Sequence, residues 1–231
     1  MGDGRVLAWY SLDVLLAFAS VRSEIFKGSG IQFIRKKRGE GRSIYLISNG
    51  SDKSFEGWLP IQTDAESVVL YDPMSGEYGK ANIRDGNELS TDVFVHLQTQ
   101  QTLILETYAG EVEIPSFKYF SGSGAPQPLN GIWKISFDSG GPTLPPSVEK
   151  DSLSSWTSFG SQDYPEFSGT ATYSIAFIKP QQDADGWLID LGDVKESAEV
   201  FVNGKSVGTL IGPVYQLYID DTALKESNIL E

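Results

Sequence analysis

Cysteine is absent from the 231 residues. Disulfide frameworks, thiolate zinc sites and cysteine nucleophiles are excluded together. Histidine occurs once, as His96. A Ser-His-Asp triad would have to use it, and a histidine-based metal site needs more than one such ligand. His96 lies inside the alternating run VFVHLQ, mid-strand rather than at a loop, and is read as a structural residue. Positive charge is scarce: Lys+Arg is 18 against Asp+Glu 31, a formal net charge of -13. An acidic surface repels phosphate backbones, so no nucleic-acid partner is expected. The imbalance is concentrated in the second half: residues 1–125 hold 12 basic and 16 acidic groups, residues 126–231 hold 6 and 15. No apolar run reaches the roughly 18 residues of a membrane span, and no membrane partner is expected. Phosphate-binding loops are missing too, because SGSG and SGG lack a following helix or a Lys-Ser/Thr pair.

What is present points to strands. Hydrophobic residues make up 40% of the chain and aromatics 12%, enough to build a core and rich in residues that favour β structure. Short alternating runs recur at 31–35, 43–48, 55–61, 67–71, 79–84, 93–98 and 102–107. Turn residues separate them: Asn49-Gly50-Ser51, Asp72-Pro73-Met74-Ser75-Gly76 and Asp85-Gly86-Asn87. This spacing predicts an antiparallel sandwich over 30–120. The basic cluster Arg35-Lys36-Lys37-Arg38 falls in a hairpin setting and reads as a solvated turn. SGSGAPQP, 121–128, reads as a linker. A second sandwich, 129–231, is predicted from runs at 133–137, 169–177, 186–191, 198–202, 205–211 and 215–219. The interval 138–167 is long and polar and is expected to wrap this sandwich as a loop. The chain stops at NILE, where one further strand is expected, which suggests a truncated piece of something larger. The fold class is therefore all-β, two antiparallel sandwiches.

The opening, GRVLAWYSLDVLLAFASVRSE, behaves differently. VLLAFAS with Ala17-Phe18-Ala19 has the look of a cleavage site, but Asp3 and Asp13 break the basic-then-apolar order of a signal peptide. It is read as a buried strand over 5–9 and a helix over 11–20 capped by Ser11, together a strand-helix remnant (1–29) of an upstream domain. An exposed apolar helix face would indicate a further partner domain.

Candidate chemistry is sparse. Asp190 and Asp193 flank a turn, and Asp220 and Asp221 follow the last apolar run. They read as solvated turn acids, with a calcium ion held by turn carboxylates as the sharper alternative. No other cofactor and no metal-ligand set is indicated. Nothing in the spacing places two carboxyls across a cleft as glycoside hydrolysis requires. Aromatic side chains can stack on the apolar C–H faces of sugars or pack in a core. Trp58, Trp133, Trp187, Tyr173 and Tyr218 favour the core. Trp156 and Tyr215, in or beside loops, are the carbohydrate-binding candidates, together with Asn203. In AEVFVNGKSVGT, Asn203-Gly204 signals a type I′ hairpin, whose positive φ values alone would account for that asparagine.

Two resemblances cover nearly the whole chain. Residues 129–231 resemble the sugar-binding, galactose-binding-like jelly roll of family 2 glycoside hydrolases. The matching positions are Trp156, Tyr173, Phe177, Leu191-Gly192, Ala198, Val200, Val202, Asn203, Gly204, Gly208, Tyr215, Asp220, Leu224, Lys225, Asn228 and Leu230. IQFIRKKRGEGRSIYLISNGSDKSFEGWLPI, with VVLYDPMSGEYGKA, VFVHLQTQQTLILET and the opening GRVLAWYSLDVLLAFA, is similar to the tail of family 106, rhamnosidase-type enzymes. The sequence departs from that pattern at Val21-Arg22-Ser23 and at GPVYQ near Tyr215. The family's catalytic carboxylates lie in an upstream (β/α)₈ barrel, so the resemblance implies no catalytic residue here. It implies a non-catalytic C-terminal region of a bacterial glycoside hydrolase, extracellular or periplasmic. Its partners would be a catalytic barrel in the same parent chain and carbohydrate. A stand-alone carbohydrate-binding or adhesion module, and a purely structural sandwich pair, are the other readings.

Overall fold

The computed structural model describes residues 6–19, 23–26, 29–39, 41–87, 90–120, 122 and 125–231. Arg5, Ser20, Val21 and Arg22, and the linker positions Ser121, Ser123 and Gly124, are outside the described residues. The chain forms two compact units, Met1–Phe120 and Ser121–Glu231. The described chain is all-β with antiparallel sheets, apart from two short α-helices and two 3-10 turns.

In the first unit, α1 (Leu12–Phe18) follows Ser11, which has extended dihedrals but makes no side-chain cap bond. The strand expected over 5–9 is not formed: residues 6–9 are non-regular and exposed. A strand needs a neighbour to hydrogen-bond, and an apolar alternation alone does not supply one. α1 buries none of its residues. The strands are β1 (Ile31–Lys37), β2 (Ser43–Asn49), β3 (Phe55–Ile61), β4 (Ser67–Tyr71), β5 (Tyr78–Lys80), β6 (Ile83–Asp85), β7 (Thr91–Leu97) and β8 (Thr102–Tyr108). They form two sheets, β1-β2-β8-β4-β5 and β3-β7-β6. Alternate residues of both, including Tyr45, Ile47, Leu70 and Leu105 from one and Leu59, Ile61, Val93 and Val95 from the other, make one core.

The run expected as one strand over 79–84 is two. β5 pairs with β4 and β6 with β7, so the chain changes sheets at Ala81-Asn82. Ala81 and Asn82 serve both sheets: the Ala81 amide donates to Val68 and the Asn82 carbonyl accepts from Phe94. The alternation runs on through this corner, so periodicity carries no sign of it. The basic cluster is likewise more ordered than a turn. Arg35, Lys36 and Lys37 belong to β1, and Arg35 forms an ion pair with the buried Glu24. Glu24 also accepts from the Tyr45 hydroxyl and the Gln62 amide. A buried carboxylate is tolerated when it is paired and hydrogen-bonded in this way.

On the outer face of the larger sheet, register lines up Ile34, Leu46, Ile104, Tyr71 and Tyr78 in one row across all five strands. The row is roughly 19 Å long at ordinary strand spacing. Ile34, Leu46 and Tyr78 are exposed, and the Tyr71 and Tyr78 rings stack.

The second unit comprises β9 (Trp133–Gly141), β10 (Val148–Lys150), a 3-10 turn (Trp156–Ser158), α2 (Asp163–Glu166), β11 (Ser168–Ile178), β12 (Gly186–Asp190), β13 (Ser197–Val202), β14 (Lys205–Ile211), β15 (Gln216–Asp220), a second 3-10 turn (Asp221–Ala223) and β16 (Ser227–Leu230). One sheet runs β10-β9-β11-β16-β13-β14, and β12 pairs with β15. Ile175, Val200, Val202, Leu210 and Leu230 from the large sheet meet Leu217 and Ile219 from the pair in one cluster. A second cluster, Ile135, Phe137, Phe159, Tyr164 and Phe167, is almost wholly aromatic.

One expectation changes here, and one strand is added. The interval 138–167 is more than a wrapping loop. It contains β10, the first 3-10 turn and α2, and it returns Phe159 and Tyr164 to the aromatic cluster. Its Ser, Asp and Pro content hides these few anchors. A strand that alternation did not reveal is formed by SNIL: β16 lies between β11 and β13. Four residues are too few to show a period.

Candidate functional site

The β13–β14 hairpin turns on Asn203 (φ 54) and Gly204 (φ 75). Both positive values fit the Asn-Gly preference of a type I′ turn. The Asn203 amide is then used inside the unit. Its Nδ2 donates to Asn228 Oδ1 at 2.9 Å and its Oδ1 accepts from the Ile229 amide at 3.1 Å. Asn228 is 1% exposed. It also accepts from the Lys225 amide and donates to the Lys225 carbonyl, each at 2.8 Å. The pair ties the hairpin tip to β16.

Tyr215 precedes β15 and packs partly buried on the first cluster of the second unit. Its hydroxyl donates to the Glu196 carbonyl at 2.6 Å. A Cβ on Gly212 would stand 2.4 Å from that hydroxyl, so the missing side chain is what lets the ring lie there. Trp156 belongs to the other cluster, 6.0 Å from the Phe137 ring and 5.9 Å from that of Phe167. The three carbohydrate-binding candidates thus sit in three different settings: a hairpin tip, a loop over one core and a turn on the other.

Asp190, Asp193 and Asp221 are engaged separately. Asp190 accepts from the Gly192 amide and the Gln216 side chain. Asp193 pairs with Lys195 at 2.6 Å, both well exposed, and this pairing holds the Lys195 ammonium above its ordinary value. Asp221 accepts from Lys179 Nζ at 2.7 Å and from the Trp187 indole at 2.8 Å. The hydrogen bond from Lys179, then that from Trp187, keeps its carboxyl below the usual carboxylate range. Among the described residues no three His, Cys, Asp or Glu side chains gather in a way that could hold a metal ion. His96 lies mid-strand in β7, its Nδ1 3.1 Å from the Phe120 carbonyl oxygen.

Asp221 opens onto a cavity of about 420 Å³. Its walls are the β11–β12 connection and the turn leading into β16, with Gln181, Gln182, Asp183, Lys225 and Glu226 among the lining side chains. Sequence reading gave none of these residues a binding role, since KPQQDADG and LKES each look like an ordinary polar turn. The pairing of β11 with β16 and of β12 with β15 brings the two together.

No family model matches the chain. A protein of Formosa agariphila named "Putative beta-glucuronidase" is 30% identical over 185 residues, 75% of this chain and 15% of that protein. The solved structure of a rhamnosidase from Novosphingobium sp. PP1Y is similar with a TM-score of 0.77 and 25% identity, over 99% of this chain and 22% of that one. The chain spans less than a quarter of either protein. It is similar to a part of proteins that carry glycosidase names.

Proposed function

We propose that this chain is the non-catalytic C-terminal β-sandwich region of a bacterial glycoside hydrolase of the family 106, rhamnosidase type. The carrying observation is the likeness to the rhamnosidase structure over 99% of this chain but 22% of that one. In this reading residues 30–120 form the sandwich that supports a catalytic barrel elsewhere in the parent chain. Residues 121–128 are a linker, and 129–231 are a galactose-binding-like jelly roll that contacts glycan through Tyr215 and Trp156, with Asn203 at the hairpin tip. The parent works outside the cell or in the periplasm, and no described helix is long and apolar enough to cross a membrane.

Electrostatics support the non-catalytic assignment. A general acid in glycoside hydrolysis needs a carboxyl with a raised pKa. Among the described residues, the carboxyls displaced from their ordinary values, Asp221 and Glu111, are displaced downward by lysine partners. The helix favours membership of a larger assembly over a stand-alone module, because Leu12 and Phe18 of α1 and the neighbouring Trp9 are exposed, and clustered exposed apolar side chains mark interaction surfaces.

The test is a glycan array with calorimetry on the purified 231-residue chain, beside hydrolysis of aryl rhamnosides and related aryl glycosides. Binding without turnover is expected. Turnover would overthrow the non-catalytic assignment. Absence of both would leave the barrel-supporting role and remove the glycan contact.

A further inference from the structure

The cavity beside Asp221 is braced in a way that an ordinary surface dip does not require. The Lys179 amide donates to the Glu226 carbonyl at 3.0 Å, and the Asp221 amide donates to the Asp185 carbonyl at 3.1 Å. Lys179 and Trp187 both fix the Asp221 carboxylate. Each wall is therefore tied to the other, and the opening is held before any ligand arrives, which lowers the ordering cost of binding.

The free chemistry lies inside this frame. Among the described residues, no hydrogen bond or ion pair occupies the side chains of Gln181, Gln182, Asp183, Lys225 or Glu226, and all five line the cavity. The amides offer donors and acceptors, the ammonium donors, and the carboxylates acceptors. Leu224 and Pro180 add apolar surface to the same wall. That mixture matches a sugar ring, with hydroxyls around its edge and C–H groups on its faces. The volume of 420 Å³ lies near the lower end of the range for small-molecule pockets, about 300–1,000 Å³.

Charge selects among sugars. Three carboxylates, Asp183, Asp221 and Glu226, face two ammonium groups, Lys179 and Lys225, and Lys179 is already paired with Asp221. A uronate would bring a further negative charge to a wall with a negative surplus. We propose that this cavity is a binding site for a single neutral sugar residue, held through its hydroxyls by the Asp183, Glu226, Lys225 and glutamine side chains. The proposal deepens the glycan-contacting reading above and rests on it. It adds the cavity to the contacts proposed at Tyr215 and Trp156.

The experiment is an amide chemical-shift titration of the full 231-residue chain. The probes are the methyl glycosides of L-rhamnose, D-galactose, D-glucose and D-mannose, with D-glucuronate as the charged comparator. At least one neutral glycoside is expected to shift amides of residues 179–186 and 221–227, with D-glucuronate weaker. Asp183→Asn and Lys225→Ala, neither of which removes an intramolecular bond, should each weaken binding roughly tenfold, the value of one charge-assisted hydrogen bond. Unchanged amide positions elsewhere would show that both variants remain folded. Shifts confined to the surroundings of Tyr215 or Trp156 would overturn the cavity assignment and leave the glycan-contacting reading intact. No shift with any probe would overturn both. Glucuronate binding as tightly as the neutral glycosides would overturn the neutral class.

Discussion

Asn228 and Asp221 are the side chains on which the second unit most visibly depends. Asn228→Ala removes three hydrogen bonds at a site that is 1% exposed. These bonds are part-buried, and a typical intramolecular hydrogen bond is worth about 0.5–1.5 kcal/mol net, so a loss of about 2–4 kcal/mol is expected in urea unfolding of this unit. Asn203→Gly should cost less, because glycine keeps the positive φ and forfeits only the side-chain bonds. Asp221 governs an acid limb. Its folded pKa is lowered, so its contribution is complete above the unfolded value of about 4 and is lost as pH falls through the folded one. Between pH 6 and 3 the wild-type urea midpoint should fall more steeply than that of Asp221→Asn. Parallel curves would show that the Lys179 and Trp187 bonds do not couple to folding. In the first unit burial, then the bond to Glu106, pushes the Tyr108 phenol up to about 12. Stability from it is present below about pH 10 and lost above. An absorbance titration should show that Tyr108→Phe removes a tyrosine that ionises well above the ordinary value. The candidate residues were legible in the sequence as types, an asparagine fit for a turn and aromatics near loops. What was not legible was where their polar atoms go, because Asn203 finds its partners far along the chain, at Asn228 and Ile229.

Strands were readable where alternation and turn chemistry agree, as in β3, β4 and β14, which fall on the expected residues. They were unreadable where one signal is missing. The β5–β6 corner has no turn residues to mark it, and β16 is too short for a period. The interval 138–167 shows what anchors a polar segment. Phe137 touches the rings of Trp156, Tyr164 and Phe167. Phe137→Ala is expected to cost about 3–5 kcal/mol and to release residues 156–167, read as faster protease cleavage there than in the parent. Trp156→Ala would loosen the same cluster, so any loss of glycan binding in that variant has to be compared with Phe137→Ala before it is assigned to contact. The row Ile34-Leu46-Ile104-Tyr71-Tyr78 behaves oppositely. Its exposed members point away from the core, so Ile34→Ser should change stability by no more than about 0.5 kcal/mol.

Each unit has its own buried clusters. Expressed separately, residues 1–120 and 121–231 should each give a dispersed amide spectrum. A collapsed spectrum from either piece would show that one fold requires the other. The cavity could not be read from the sequence for a reason of the same scale: its walls are joined by a ladder between β11 and β16, some fifty residues apart. That placement of β16 in the middle of a six-stranded sheet also sets a timetable. The first unit has all its strands once Tyr108 is made, while the second cannot close its sheet until Leu230 has left the ribosome. At elongation rates of about 5–20 residues per second the interval is on the order of 6–24 s. In its last part, after Val202 is made and before β16 arrives, β11 and β13 present unpaired edges on either side of a one-strand gap, the kind of surface that recruits foreign strands. The nascent second unit is therefore the part of this chain most in need of a chaperone, and a peptide carrying SNILE is the simplest molecule that could fill the gap in its place.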